Sequence, residues 1–365
     1  MSQPLSLGVE EEYQLVDPAT RELRSVAPRV LPAAEPELGE RVQPELYRSM
    51  VEMNTPVCET LAEVREAVRR SRRSLIEAAE GQGLRIAAAG THPFSHWRDQ
   101  RVTDKPRYHN LAEDYRQVFR EQVVFGCHVH VGIEDREAAI QTLNRVRPWL
   151  PVLAALTVNS PYWLGGDTGY ASYRTEVWNR WPTAGMPQSF ASRAEYDALV
   201  STLMATGSIR EPTKLYWDVR PSTKQETLEF RVADVCMLVD EAVMTAGLAR
   251  ALAFTCHQAA VAGEPDPAPR PELLRAARWR AARHGLEADL VDVLGGRARP
   301  ATEMVQVFLA AIRPGLEAAG DLEEVTELVQ ATIARGTGAA RQRQAFQRAQ
   351  RLEPVVDLVI TETAR

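Results

Sequence analysis

The stretch Leu5 to Val16, LSLGVEEEYQLV, alternates with a period of two and carries acids at successive polar positions. Leu5, Leu7, Val9, Tyr13 and Leu15 fall on one face of a strand, and Ser6, Gly8, Glu10, Glu12 and Gln14 fall on the other. Side chains alternate across a strand, so Glu10 and Glu12 stand side by side while Glu11 points among the apolar residues. That parity makes Glu11 a structural, salt-bridged residue. A chain containing this strand must give one face a core and the other a setting that tolerates adjacent carboxylates. Asp17-Pro18 then marks a turn.

Four further stretches repeat the pattern. Between Leu46 and Val57, Glu52 and Asn54 share a face. From Phe125 to Val131, the residues Phe125, Cys127, Val129 and Val131 oppose Gly126, His128, His130 and Gly132. Leu215 to Val219 and Thr227 to Val235 read as paired strands joined by Pro221 to Glu226, with Asp218 and Arg220 sharing one face and Glu229 and Arg231 another. One such pair is what any solvated strand face shows. Five of them argue for a charged concave surface, because clustered carboxylates repel unless cations bind them.

The rest of the chain reads mainly as helix. Thr60-Leu61-Ala62-Glu63 is a capping box and opens a helix that stops near Gly81 and Gly83. A short strand over Leu84 to Ala89 runs into the loop Gly90-Thr91-His92-Pro93-Phe94. Helices follow over Leu111 to Glu121 and over Asp135 to Val158, the latter interrupted by Pro148 and Pro151. Asn159 to Pro187, rich in Gly, Pro, Tyr and Trp, reads as a functional loop region. Ser192 to Glu195 caps another helix, to about Thr206. Beyond Asp240 the chain reads as almost wholly helical, with the Pro-rich stretch Gly263 to Pro271 between two helices. No repeat or linker divides it, so residues 1–365 are expected to form one α+β unit with a helical C-terminal part over about 238–365.

Composition excludes several classes. The apolar fraction of 45% and charged fraction of 25% are those of a globular chain, and a net charge of −6 lacks the footprint of a general nucleic-acid binder. Cys58, Cys127, Cys236 and Cys256 form no CxxC pair, as expected of scattered thiols in a reducing compartment. Met1 to Leu7 has neither a basic nor an apolar leader segment, and no apolar run is long enough to span a bilayer, so a cytoplasmic location is expected. There is no GxxxxGK[ST], no GxGxxG after a strand, no HExxH and no GxSxG. Any nucleotide here must be held through metals and arginines. Glu10, Glu12 and Glu52 are hard oxygen ligands suited to Mg²⁺ or Mn²⁺, and nearby arginines suit phosphate or carboxylate; together these form an apparatus for phosphoryl transfer.

Gly8-Val9-Glu10-Glu11-Glu12-Tyr13, Glu52-Met53-Asn54-Thr55-Pro56-Val57, Gly126-Cys127-His128-Val129-His130-Val131-Gly132 and Leu228-Glu229-Phe230-Arg231 occur in this order. As an ordered set they closely resemble the glutamate–cysteine ligase type 2 family of carboxylate–amine ligases. The loop Tyr173 to Pro182, YRTEVWNRWP, and the stretch Trp279 to Gly285 are similar too, and the match covers roughly Leu5 to Leu294. The resemblance implies a glutamine-synthetase-like antiparallel sheet curved into a funnel, with helices packed outside. It implies ATP, Mg²⁺ or Mn²⁺, a carboxylate donor such as glutamate and an amine such as cysteine, joined through an acyl phosphate. A homodimer is a further expectation from the family. By position, Glu10, Glu12, Glu52, His128 and Glu229 are the implied metal ligands, with Glu45 a weaker match. Arg231 and Arg174 are implied to act on the phosphates or a substrate carboxylate, and Arg220 joins them as a candidate for the nucleotide.

Other residues have plainer readings. His130 can simply hydrogen-bond a neighbour, Asp218 and Arg220 can form a cross-strand pair, His92 can serve a turn, and the arginines between Leu274 and Arg283 can form a solvated face. Two competing functions remain at this level: a metal-dependent hydrolase of the amidohydrolase kind, suggested by His128-Val129-His130, and a non-catalytic binding protein on the same fold. The first lacks further histidines on strands, since His257 and His284 lie in helical stretches; the second sits poorly with an intact acid set. The strand parity makes a direct prediction. Glu10→Ala or Glu12→Ala should abolish ATP turnover, and Glu11→Ala should mainly lower stability. Equal catalytic loss at Glu11 with unchanged stability would show the register to be wrong.

Overall fold

The computed structural model describes residues 4–365. The stretch read above as lacking a leader begins with residues 1–3, which lie outside the described residues. In chain order the first half comprises β1 (Leu7–Val16), α1 (Ala27–Leu38), β2 (Val42–Pro44), β3 (Met50–Asn54), α2 (Leu61–Glu80), β4 (Arg85–Ala87), α3 (Pro106–Tyr115), α4 (Gln117–Arg120), β5 (Gly126–Gly132), α5 (Arg136–Val146) and α6 (Leu150–Leu156). The second half comprises β6 (Tyr162–Trp163), β7 (Gly166–Asp167), α7 (Tyr173–Trp178), α8 (Arg193–Ala205), β8 (Val219–Pro221), β9 (Thr227–Asp234), α9 (Val239–Val261), α10 (Pro271–His284), β10 (Leu290–Asp292), β11 (Arg297–Arg299), α11 (Ala301–Ala319), α12 (Leu322–Arg335), α13 (Gly338–Ala349) and α14 (Glu353–Thr363).

One antiparallel sheet organises the molecule, in the order β2-β3-β1-β5-β9-β8, with β4 pairing the C-terminal end of β1. Its apolar face packs on helices. Val9, Cys127, Val129, Leu228 and Phe230 meet residues of α2, α5, α9 and α11, while Tyr13, Leu15, Val51 and Met53 meet residues of α1, α2 and α14. Most residues of α9 are buried, because neighbours surround it on several sides. At Gly315 of α11 an added Cβ would lie 2.3 Å from the Ala251 carbonyl oxygen of α9, so the two helices approach too closely for any side chain there.

Glu11 is fully buried on the helix side of β1, as its parity requires. Arg72 of α2 meets it, with Nη2 donating to Oε1 at 2.6 Å, and the Tyr13 hydroxyl donates to its other oxygen. The same guanidinium donates to the carbonyls of Cys236 at 2.8 Å and Met237 at 2.9 Å, on the segment joining β9 to α9. One buried cation therefore ties β1, α2 and the β9 exit together.

Several expectations are corrected. The strand read over Leu46 to Val57 is regular only over Met50–Asn54. β8 lies at Val219–Pro221 and overlaps its expected range, Leu215 to Val219, only at Val219. The helical stretch over Asp135 to Val158 is interrupted at its prolines as expected, into α5, a 3₁₀ turn at Arg147–Trp149 and α6, because prolines 148 and 151 cannot donate to the preceding turn. The helix over Leu111 to Glu121 divides at Arg116, whose φ is +48°. The supposed loop region over Asn159 to Pro187 contains the hairpin β6–β7 and the helix α7. The C-terminal part contains the hairpin β10–β11 and is not wholly helical. Among the described residues no helix is long and apolar enough to cross a membrane.

Replacing Arg72 by Ala is expected to cost about 3–5 kcal/mol, since it leaves the Glu11 charge buried without a partner. The double variant Arg72→Met/Glu11→Gln should recover much of that loss. Urea unfolding monitored by circular dichroism checks both.

Candidate active site

The polar face of the sheet gathers the charged residues by register. Glu12 of β1 lies opposite Glu52 of β3, and Glu10 lies between Asn54 of β3 and His128 of β5. Further across, His130 lies opposite Glu229 of β9, which lies opposite Arg220 of β8. A bulge between β5 and β9 adds to this row. Cys127 lies opposite Ala233 and Val129 opposite Phe230, so β9 takes three steps where β5 takes two. The extra residue lets both Arg231 and Asp234 face the acids, which strict alternation would forbid.

Glu10, His128 and Glu229 each offer a ligand atom within 4.8 Å of the others. His128 Nδ1 stands 3.1 Å from Glu10 Oε2 and 4.0 Å from Glu229 Oε1, while His128 Nε2 is buried and has no partner. His130 orients the trio from the side, with Nε2 3.1 Å from Glu10 and Nδ1 2.8 Å from the Thr227 hydroxyl. A second group of acids adjoins them. Glu12 accepts from the Gly126 amide at 2.5 Å, Glu45 accepts from the Tyr108 hydroxyl at 3.0 Å, and Glu52 accepts from the Asn54 amide at 3.1 Å. Glu45, the weaker positional match, is part of this charge cluster.

The electrostatics separate the two groups. Burial works against the charge on Glu10, but hydrogen bonds and attraction to His128 and His130 hold it well below the usual carboxylate range. Burial also opposes the charge on Glu229, and Arg231 and then Arg220 outweigh it. Burial, then Arg231, pushes His128 down to about 4, so it offers neutral nitrogens. In contrast, burial and the neighbouring Glu45 push Glu12 up to about 7. Burial, then Glu10, Glu45 and Glu12, push Glu52 well above its usual value. The attraction of Arg174 and Arg231 to Glu12 does not offset this burial and repulsion. The donor set of carboxylates plus one imidazole, an orphaned buried nitrogen and uncompensated acids together fit Mg²⁺ or Mn²⁺.

The arginines play unequal parts. Arg220 is spent on the protein: Nε donates to Glu229 at 2.7 Å and Nη1 to the carbonyls of Thr213 at 2.9 Å and Leu215 at 2.5 Å. It clamps Glu229, and four of the five N–H donors of its guanidinium are engaged by the protein. Arg231 pairs with Glu229, and its Nε is unpartnered. Arg174 is 2% exposed, its Nε has no partner, and its nearest carboxylate is Asp234 at 4.0 Å. It lies so close to Gly126 that a Cβ there would stand 2.3 Å from Nη2. Asp234 in turn accepts from the Asn159 amide at 2.7 Å, the Ser160 hydroxyl at 2.7 Å and the Ser172 hydroxyl at 2.8 Å, and Ser172 caps α7 ahead of Arg174. From α13, Gln342 donates to the Asn159 side-chain oxygen at 2.8 Å.

Other candidates are engaged by the protein itself. Asp218 is bound by Arg278 of α10, with Nη2 donating at 2.9 Å, and does not pair across the strand with Arg220. Arg280 and Arg283 donate to the carbonyls of Asp289 and Gly169, so three arginines of α10 serve the fold. His92 accepts at Nδ1 from the amides of Phe94 and Ser95, at 3.2 and 2.9 Å, and holds its own loop. Sequence reasoning missed Asp234, Asn159, Ser160, Ser172 and Gln342. Only the bulge brings Asp234 to this face, and no periodicity signals a bulge.

The model of the glutamate–cysteine ligase family 2 (GCS2) matches residues 6–360. This chain belongs to that family. A relative from Frankia alni provisionally named glutamate–cysteine ligase 2-2 is 46% identical over 98% of this chain and 97% of its own. A second, from Rhodopirellula baltica, provisionally named glutamate–cysteine ligase 2, is 43% identical over 98% of this chain and 96% of its own. The crystal structure of a glutamate–cysteine ligase from Francisella tularensis in complex with AMP superposes with a TM-score of 0.75 over 99% of this chain and 89% of that one, at 11% identity. The chain thus has the fold of that glutamate–cysteine ligase, an antiparallel sheet with helices outside as expected, within a family of ATP-dependent carboxylate–amine ligases.

Gly126→Ala is expected to displace the Arg174 guanidinium and lower turnover on the order of a hundredfold while changing the melting temperature little, as checked by steady-state kinetics beside calorimetry. Glu52→Gln should raise the melting temperature in metal-free buffer and shrink the further rise on adding Mg²⁺. A Mg²⁺ response equal to that of the unaltered protein would remove Glu52 from the site.

Proposed function

We propose that this protein uses ATP to activate a carboxylate, the γ-carboxylate of glutamate or a close analogue, and joins it to an amine, releasing ADP and phosphate. The observation that carries this reading is the trio Glu10, His128 and Glu229 set beside Arg231 and the unpartnered Arg174. Glu10, Glu12, Glu52, His128 and Glu229, with Glu45 beside them, would hold Mg²⁺ or Mn²⁺. When bound, the metal would neutralise phosphate charge so that an anionic carboxylate can approach.

The residues divide the remaining work. A carboxylate oxygen of the donor forms a bond to the γ-phosphorus of ATP, the bond from that phosphorus to the bridging oxygen breaks, and ADP leaves. Arg231, fixed by Glu229 and lacking a partner at Nε, donates to the phosphoryl oxygens as charge shifts toward ADP. Arg174 holds the donor's anionic group and keeps it in line with the phosphorus. The amine then attacks the acyl carbon, the bond to the phosphate oxygen breaks, phosphate leaves and the amine loses a proton. No side-chain nucleophile is required, which fits a chain whose four cysteines are all buried in the core.

The test is ADP release by the purified protein with Mg²⁺, glutamate and a panel of amines including cysteine, with mass analysis of the product. Hydroxylamine as the amine should give the glutamyl hydroxamate. Metal-dependent hydrolysis of an amide or phosphoester without ATP would overturn the ligase reading in favour of a hydrolase. Binding of ATP with no turnover of any kind would leave a binding protein.

A further inference from the structure

Two buried guanidiniums flank one indole in this site. The Arg174 guanidinium carbon lies 5.7 Å from the centroid of the Trp178 ring, and that of Arg231 lies 5.4 Å from it. Neither arginine has the partners its burial calls for. Arg174 has an orphaned Nε and only a distant carboxylate, while Arg231 has an orphaned Nε and shares Glu229 with Arg220. The two arginines and Trp178 line a cavity of about 10 Å³, room for about one water, closed by apolar residues and by Asp218, whose carboxylate is already bound by Arg278. Like charges held together with so little water repel strongly.

Trp178 is fixed independently of either arginine. Its Nε1 donates to the Tyr216 carbonyl at 3.1 Å, and its ring packs edge-on against Tyr216 at 5.2 Å and Trp181 at 6.3 Å. It ends α7, one turn after Arg174, so the helix sets its distance from one guanidinium and the sheet sets its distance from the other. The negative face of an indole attracts cations without occupying an N–H donor. A carboxylate in its place would bind the guanidiniums bidentately and consume the donors that an anionic substrate needs.

We propose that Trp178 is the positioning residue that holds Arg174 and Arg231 as a pair, stabilising both cations through its π-face while leaving their donors to the substrate anion. This rests on the reading of the two arginines as the groups that meet phosphate and carboxylate. Site-specific replacement of Trp178 by mono-, di- and trifluorotryptophan tests it, because fluorine drains the ring face with little change of shape. Trp178→Phe and Trp178→Leu complete the set. Both kcat/KM for ATP and the affinity for MgADP, measured by calorimetry, should fall stepwise with each fluorine. Phe should retain activity within about threefold, and Leu should lose on the order of ten- to a hundredfold. A flat fluorine series in both measurements, or equal activity of the Leu and Phe variants, overturns the proposal. If the unaltered protein turns over ATP and the series is flat, only the role of Trp178 falls. If the unaltered protein shows no turnover, the ligase reading falls and the MgADP series alone decides the role of Trp178.

Discussion

β1 can hold Glu10 and Glu12 in a charged cleft because the glutamate between them is neutralised inside the core. Glu11 and Arg72 are each 2% exposed or less, and Arg72 also satisfies two carbonyls where β9 leaves the sheet. A strand with three successive acids would otherwise favour water on both faces. The buried pair fixes the register, and a slip by one residue would carry Glu10 and Glu12 into the helices. Everything else on the polar face is aligned by that register, since β3 and β5 both pair with β1.

Charge is then distributed unevenly along the same face. The Glu10 side is hydrogen-bonded by imidazoles and the Glu229 side is paired with guanidiniums, whereas around Glu12, Glu45 and Glu52 the nearby arginines do not offset burial and mutual repulsion. A fold that buries such a group of acids together gives up stability there for function, the usual signature of a binding site for cations. The arginines show the same economy from the other sign. Arg220 and Arg278 are tied into the protein, while Arg174 is buried and left with donors to offer.

Much of this site was legible because a strand has a period of two. Parity alone separated Glu11 from Glu10 and Glu12, and it grouped His128 with His130 and Glu229 with Arg231. Parity failed where the chain departs from it. The bulge that turns Asp234 toward Arg174 leaves no mark in a hydrophobic pattern, and the partner of Asp218 is a residue 60 positions away on a helix. α1 forms although it carries prolines 28, 32 and 36. Their spacing of four places them together on its exposed side, while Ala27, Val30, Leu31, Ala34 and Leu38 face inward. The fold as a whole was legible from ordered motifs, and the loop-like stretch around α7 concealed the residues that seat Arg174.

The contact from Gln342 to Asn159 gives the C-terminal helices a place in the chemistry. Asn159 bridges the carbonyls of Ala88 and Val235, its amide meets Asp234, and Thr363 near the chain end accepts from the Ala88 amide at 2.9 Å. The acids of β1, β3 and β5 are brought together by strand pairing alone, whereas the network beneath Arg174 closes only when α13 and α14 dock on it. The acid-rich cleft and the frame that aligns its guanidinium are therefore built by separate parts of the fold. Loosening the two helices would leave the acids in place and remove the support for Arg174.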